Sequence, residues 1–161
     1  MPRSKPYGRG RLGVAALAAV VVALAGCGIQ IPADPDGTLD SVENGTLRVG
    51  VAAEPGLAEY HDGEAAGTLV DVAHRFAQEL NADIEWSSHS EERLVAMLEG
   101  DDLDLALGGF TDSSPWSDRV GMTRPVTGIP GTDDPIVMLV PMGENAFLDA
   151  LERHLDAETT S

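Results

Sequence analysis

The sequence predicts an α/β domain, a mostly parallel sheet flanked by helices, on three observations. Short β-type runs alternate with segments whose apolar residues recur at helical spacing, the pattern of parallel βαβ units covered on both faces. Cap and stop residues fall between those segments. Once an N-terminal export segment is set aside, 135 of the 161 residues remain, enough for one domain with its own core.

Residues 28–45 are rich in Pro, Asp and Gly, lack periodicity and read as a flexible tether. Thr46–Ala52 (TLRVGVA) is the first strand. Leu69, Val72, Ala73, Phe76, Ala77 and Leu80 then trace one face of a helix, and Asn81 is its stop. Asp83–Trp86 (DIEW) is the second strand. Ser90 caps a helix carrying Leu94, Val95, Met97 and Leu98, which Gly100 ends. Leu103–Leu107 (LDLAL) is the third strand and runs into Gly108-Gly109. Ile136–Val140 (IVMLV) is the strongest strand signal, and Phe147, Leu148, Leu151 and Leu155 make an amphipathic closing helix. The folded lobe is expected over residues 46–156, with 157–161 a disordered tail.

The export segment has the layout of a signal peptide: Arg3, Lys5, Arg9 and Arg11 without an acid, then an apolar run from Leu12 to Gly26 that is short for a bilayer span. Its end, Leu24-Ala25-Gly26-Cys27, is similar to the bacterial lipobox. Residues 1–26 therefore read as a lipoprotein signal peptide and Cys27 as the lipidated residue. The alternative is an ordinary signal peptide or membrane anchor with an incidental cysteine. Against it stands the position of the chain's single Cys, which also excludes an internal disulfide. At about 0.8 kcal/mol per buried CH₂, two acyl chains suffice for stable anchoring. The expected location is extracytoplasmic, on the outer face of a membrane.

Charge narrows the partners. All 27 acids lie after residue 26, against six arginines and no lysine, a formal charge of −21. Nucleic acid is excluded, because binding it relies on neutralising phosphates. Anionic lipid surfaces repel such a domain, leaving the lipid to hold it there. The acidity is most simply explained by solubility or a salty habitat, and the alternative is the attraction of cationic solutes or metal ions.

The ordered series GTLRVGV, GTLVDVAHRFAQELNADIEW, ERLVAMLEGDDLDLALGGFT and Arg124-Pro125-Val126 resembles the type II periplasmic solute-binding proteins, family three, the branch that mostly carries polar amino acids to ABC transporters. The ending VMLVPMGENAFLDALERHL resembles the closing strand and helix of that family. The resemblance implies a type II lobe and a membrane transporter as partner. In that family two lobes clamp the ligand, and the chain crosses to the second after the Pro-Val. Here Thr127–Pro135 (TGIPGTDDP) leads straight into the returning strand, so the second lobe is expected to be absent.

Open α/β sheets bind ligands beyond the C-terminal ends of their strands, which selects Ala53-Glu54-Pro55, Ser87-Ser88-His89 and Gly109-Phe110-Thr111-Asp112. The resemblance implies that the last segment presents N–H groups and the Thr111 hydroxyl to a ligand carboxylate. It also implies an arginine a few residues on, forking onto that carboxylate. That position falls near Trp116, with Arg119 and Arg124 displaced, so a cation or apolar group stacked on Trp116 is the alternative. The candidate ligand residues are thus Glu54, Gly109, Phe110, Thr111, Asp112, Trp116, Arg119 and Arg124. Several have a plain structural reading: Trp116 packed under a loop, Asp112 with Ser113 capping a turn, and Glu54 a solvated acid; Asp71 and Arg153 elsewhere most simply complement helix ends. His61, His74, His89 and His154 lack metal-ligand spacing, and no catalytic constellation is legible, so no metal, cofactor or enzymatic activity is expected. Two functions remain: a lipoprotein that binds a small polar or cationic solute for a transporter, or an interaction module that docks on a transporter or sensor without a ligand. A lone lobe leaves a ligand half exposed and should hold it weakly, unless a second copy or a membrane partner supplies the other wall.

Overall fold

The computed structural model describes residues 34–159, with the side chain of Thr159 left out. The elements in chain order are α1 (Thr38–Val42), β1 (Thr46–Val51), β2 (Glu59–His61), β3 (Glu64–Ala66), α2 (Thr68–Glu79), β4 (Asp83–Ser88), α3 (Glu91–Glu99), β5 (Leu105–Leu107), β6 (Gly121–Met122), β7 (Leu139–Val140) and α4 (Asn145–Thr159). The main sheet has the order β4-β1-β5-β7-β6. β1 pairs in parallel with both β4 and β5, placing Val51 opposite Ser88 and Leu107. β7 runs antiparallel to β5 and β6. The parallel strands therefore all end at one edge of the sheet, and the chain returns from that edge through β7.

The helices form where caps and apolar spacing predict. Ser90 accepts the Arg93 N–H at the start of α3, and Leu80 caps α2 just before Asn81, which takes a left-handed φ of 53°. α2 begins at Gly67 (φ 123°), where a Cβ would sit 2.4 Å from the Leu57 carbonyl oxygen, so only glycine lets the helix start there. On one face of the sheet α2 and α4 bury Leu69, Phe76, Phe147 and Leu151 against Leu47, Val49 and Leu105, with Phe76 edge-on to Phe147 at 5.7 Å. On the other, Leu94 and Leu98 of α3 pack with Leu103, Leu139 and Phe110. Each such fully buried side chain contributes roughly 1.5–3 kcal/mol of burial free energy.

Three expectations need correction. The tether does not extend to residue 45: from Asp34 onward it is part of the fold. Glu144, itself 1% exposed, accepts the N–H groups of Asp36 and Thr38, both at 3.0 Å. Asp34 accepts from Leu39 at 2.8 Å and from Phe147, in the first turn of α4, at 3.4 Å. The same Pro, Asp and Gly that suggest a tether thus make a tight turn into α1. At the other end α4 runs three residues beyond 156, to Thr159. Ile136–Val140 is buried throughout, yet only Leu139 and Val140 join the regular ladder. Its other N–H groups find separate partners: Ile136 bonds Val126, Val137 the Phe110 carbonyl, and Met138 the Thr123 hydroxyl.

Residues 127–135 span the gap where a second lobe would leave. Val126 and Ile136 bridge at its base, Ile129 is buried in the main core, and the Thr68 hydroxyl donates to the Pro130 carbonyl at 2.8 Å. The connection is folded onto the lobe. Residues 1–33 lie outside the described residues, and with them the expected signal peptide, Cys27 and the first part of the expected tether.

Candidate functional site

The edge where β1, β4 and β5 end carries three loops. After β1 the chain turns at Glu54, whose N–H bonds the Ala58 carbonyl at 2.8 Å, leaving Ala53, Glu54, Pro55 and Gly56 exposed. After β4 the His89 N–H closes on the Val51 carbonyl. After β5 comes Gly108-Gly109-Phe110-Thr111. The Glu54 side chain lies over Gly109: a Cβ there would sit 2.9 Å from Glu54 Oε2, which that exposed, flexible side chain could relieve by turning aside. The structure therefore brings Glu54 and Gly109 together. The Glu54 carboxylate accepts no hydrogen bond among the described residues.

The other candidates divide. The ring of Phe110 is 1% exposed inside the α3-side core, beneath the edge, and its carbonyl accepts the Val137 N–H. Thr111 is half-buried at the rim, and its N–H donates to Ser114 Oγ at 3.1 Å while the Ser114 N–H returns to the Thr111 carbonyl at 3.0 Å. Asp112 is exposed, its carboxylate accepting from the Ser113 hydroxyl at 3.3 Å. Trp116 lies half-buried against α3, its Nε1 donating to Glu91 Oε2 at 3.4 Å, and the Arg119 guanidinium stands 5.6 Å from the ring centre.

Neither arginine reaches the edge. Residues 111–120 descend alongside α3, so Arg119 arrives at its far end and forks onto Glu99. That hydrogen bond holds the Glu99 carboxyl below its ordinary value. Arg124 turns to α4, where its backbone N–H and Nε donate to Glu152 and its terminal nitrogen to Asp156. It lines a hollow on that flank with Pro125, Val126 and Thr127. The cause in both cases is the surplus of acid: every displaced guanidinium has a carboxylate nearer than the strand ends. The histidines are likewise dispersed, His74 edge-on to Trp86, His154 against Glu79 and His61 beside Glu59, and the described residues hold no cluster able to bind a metal.

The arrangement offers an open shelf with acceptors at its rim. A family model, that of the bacterial extracellular solute-binding proteins, family 3, matches residues 47–158. The chain belongs to that family. No curated protein matches it by sequence. Among solved structures, this family 3 domain is similar to a point mutant of the arginine-bound form of domain 1 from TmArgBP, at 20% identity and a TM-score of 0.67, covering 76% of this chain and 99% of that one. It is similar to a mutant of ArgBP from T. maritima, at 13% identity and a TM-score of 0.66, covering 76% and 93%. It also resembles the ancestral amino acid-binding protein AncCDT-1, a precursor of cyclohexadienyl dehydratase, at 15% identity and a TM-score of 0.66, covering 77% and 94%. These likenesses establish the fold as a single type II lobe. The family and these neighbours are binding proteins, and the family is extracellular. No helix among the described residues is long and apolar enough to cross a membrane.

Sequence reasoning missed two residues that shape the shelf, Ser114 and Glu91. The Thr-x-x-Ser spacing of Thr111 and Ser114 carries a legible signal, since a hydroxyl three residues on readily takes a turn N–H. Glu91 carries none, because its meeting with Trp116 depends on two segments 25 residues apart.

Proposed function

We propose that this family 3 domain is the solute-binding part of a lipoprotein anchored through Cys27, which recognises a small polar or cationic solute at the strand-end edge and passes it to a membrane transporter. The observation that carries this reading is the family match running through all three loops of that edge, together with an unpartnered carboxylate, Glu54, lying on Gly109. The neighbour named as an arginine-bound domain 1 is itself one lobe, which supports reading a lone lobe as able to hold a solute. The folded connection at 127–135 supports a lobe that stands without its second half.

A thermal-shift screen of the purified chain against amino acids, amines and divalent cations tests the site. A ligand confined to the native state stabilises by RT ln(1 + [L]/Kd), about 2.7 kcal/mol at one hundred times Kd. One chemical class should raise the melting temperature; a flat screen at millimolar ligand sinks the solute reading in favour of a docking module. Replacing Cys27→Ala should move the expressed chain from the membrane to the soluble fraction, and a variant that stays membrane-bound would remove the lipid anchor from the proposal.

A further inference from the structure

We infer that β4, at the side of the main sheet, takes an extended, lysine- or arginine-bearing segment of a partner protein as a further strand. This does not depend on the solute reading. An open sheet has two side strands, and here they differ. β6 is two residues long, and the chain after it is already bonded, the Thr123 N–H to the Met138 carbonyl and the Arg124 N–H to Glu152. β4 runs six residues, pairs only with β1, and contains no proline, lysine or bulge. Such residues, or shortness, are the usual guards of an open side strand. The ladder fixes what β4 leaves free. The Asp83 N–H donates to the Gly45 carbonyl and the His89 N–H to the Val51 carbonyl, so every second residue between them faces β1. Ile84, Trp86 and Ser88 therefore turn their N–H and C=O groups outward, where nothing among the described residues takes them.

The side chains choose the occupant. Asp83 and Glu85 are exposed on the face away from α2, and neither carboxylate has a partner among the described residues. Arg48 is the cross-strand neighbour of Glu85, but it is bonded to Asp104 instead. On the α2 face Ile84 and Trp86 are partly buried, and Trp86 meets His74 edge-on at 5.3 Å, which leaves apolar surface for alternate side chains of an added strand. A second copy is opposed. Each carries a formal charge of −21 after residue 26, and joining β4 to β4 would gather the Asp83 and Glu85 of both copies along one seam. A strand with cations across from those two acids meets attraction in the same place. The exposed Arg93 comes only in the first turn of α3, past the end of β4, so the partner's cations belong across the first half of the strand.

The test uses three short peptides titrated into the purified full chain at about 0.15 M salt, which screens distant charges. One alternates lysine and valine, one alternates glutamate and valine, and the third is the lysine-valine peptide N-methylated throughout, which keeps the charge but cannot extend a ladder. The plain lysine-valine peptide should bind at least about tenfold more tightly than either of the others, the scale of two exposed attractions exchanged for repulsions. Amide exchange followed by NMR should slow about tenfold at Ile84, Trp86 and Ser88 when the peptide is at ten times Kd, and stay unchanged at Asp83, Glu85 and Ser87, which already face β1. Glu85→Lys should weaken the lysine-valine peptide about fivefold. Ser88→Pro removes an outward donor and no bond to β1, and should weaken it too; if that variant melts early, the N-methylated peptide still decides. Equal binding of the N-methylated peptide, or slowed exchange without the alternation, overturns the assignment to β4. Equal binding of the glutamate-valine peptide overturns the basic partner. Slowed exchange at the three outward amides on concentrating the chain alone gives the strand to a second copy, and no binding by any peptide overturns the inference outright.

Discussion

Carboxylates do opposite work at the two edges of the sheet. Where β1 and β5 begin, and where β7 delivers the chain to α4, they are buried or half-buried and accept at least two donors each. Glu144 takes two N–H groups, Asp34 two more, and Asp104, 1% exposed, takes the Arg48 N–H at 2.8 Å and its Nε at 3.0 Å. Where the parallel strands end, Glu54 and Asp112 stand exposed with little or nothing bound. One edge uses negative charge to fix backbone, and the other leaves it free to meet something else. A polar group satisfied internally contributes stability and offers no binding; one left in solvent contributes little stability and keeps its affinity.

Substitutions at each edge test that contrast. The largest effect is expected from Glu144→Ala, which strands two backbone donors where the domain is sealed and should cost about 3 kcal/mol in urea unfolding. A loss under about 1 kcal/mol would mean that solvent reaches those N–H groups. Ile129→Ala probes the one buried apolar anchor of the loop that replaces a second lobe. A cost of about 2 kcal/mol is expected there, and no cost would make that loop an appendage. Asp104→Asn keeps the shape and removes the charge facing Arg48, whose own pKa the hydrogen bond to Asp104 pushes up. Because Arg48 is half in solvent, about 1 kcal/mol is expected.

The smallest stability effect is pH-dependent and lies between the edges. The hydrogen bond from Arg75 holds the Glu158 carboxyl below its ordinary 4.5. A depressed carboxyl adds stability that is complete above its unfolded value and disappears as pH falls through its folded one. Melting curves of the wild type and Glu158→Gln should therefore differ at pH 7 by about 0.5 kcal/mol, a partly exposed pair being screened by water, and converge well below 4.5. A gap that persists in acid would assign the effect to packing.

The main elements were legible because their signals are local. α2 carries six apolar residues at helical spacing and a stop at Asn81, and α3 carries its own cap, so neither depends on distant contacts. The hairpin β2–β3 was missed although its turn is Asp62-Gly63, with φ of 53° and 90°, a pair that favours hairpin turns; its strands are only three residues each and half-exposed, too short for alternation to show. β6 and α1 escaped for another reason: what orders them is largely long-range, β6 through β7, and α1 through the Glu144 carboxylate more than 100 residues away. The shelf was legible in Glu54 and Gly109, which sit directly after their strands. Arg119 and Arg124 misled because adjacency in sequence does not say which of many acids a guanidinium will choose.

Three of the four hydrogen bonds around Asp34 and Glu144 cross from the beginning of the described chain to the first turns of α4 or the residue before it. They act as a clasp between the two ends of the fold. A leash attached upstream of residue 34 would pull on that clasp before it pulled on β1, so tension would be borne first by carboxylate–amide bonds at the rear of the domain. Small tugs from a moving attachment point would then be absorbed there, while the sheet and the shelf at its far edge kept their shape.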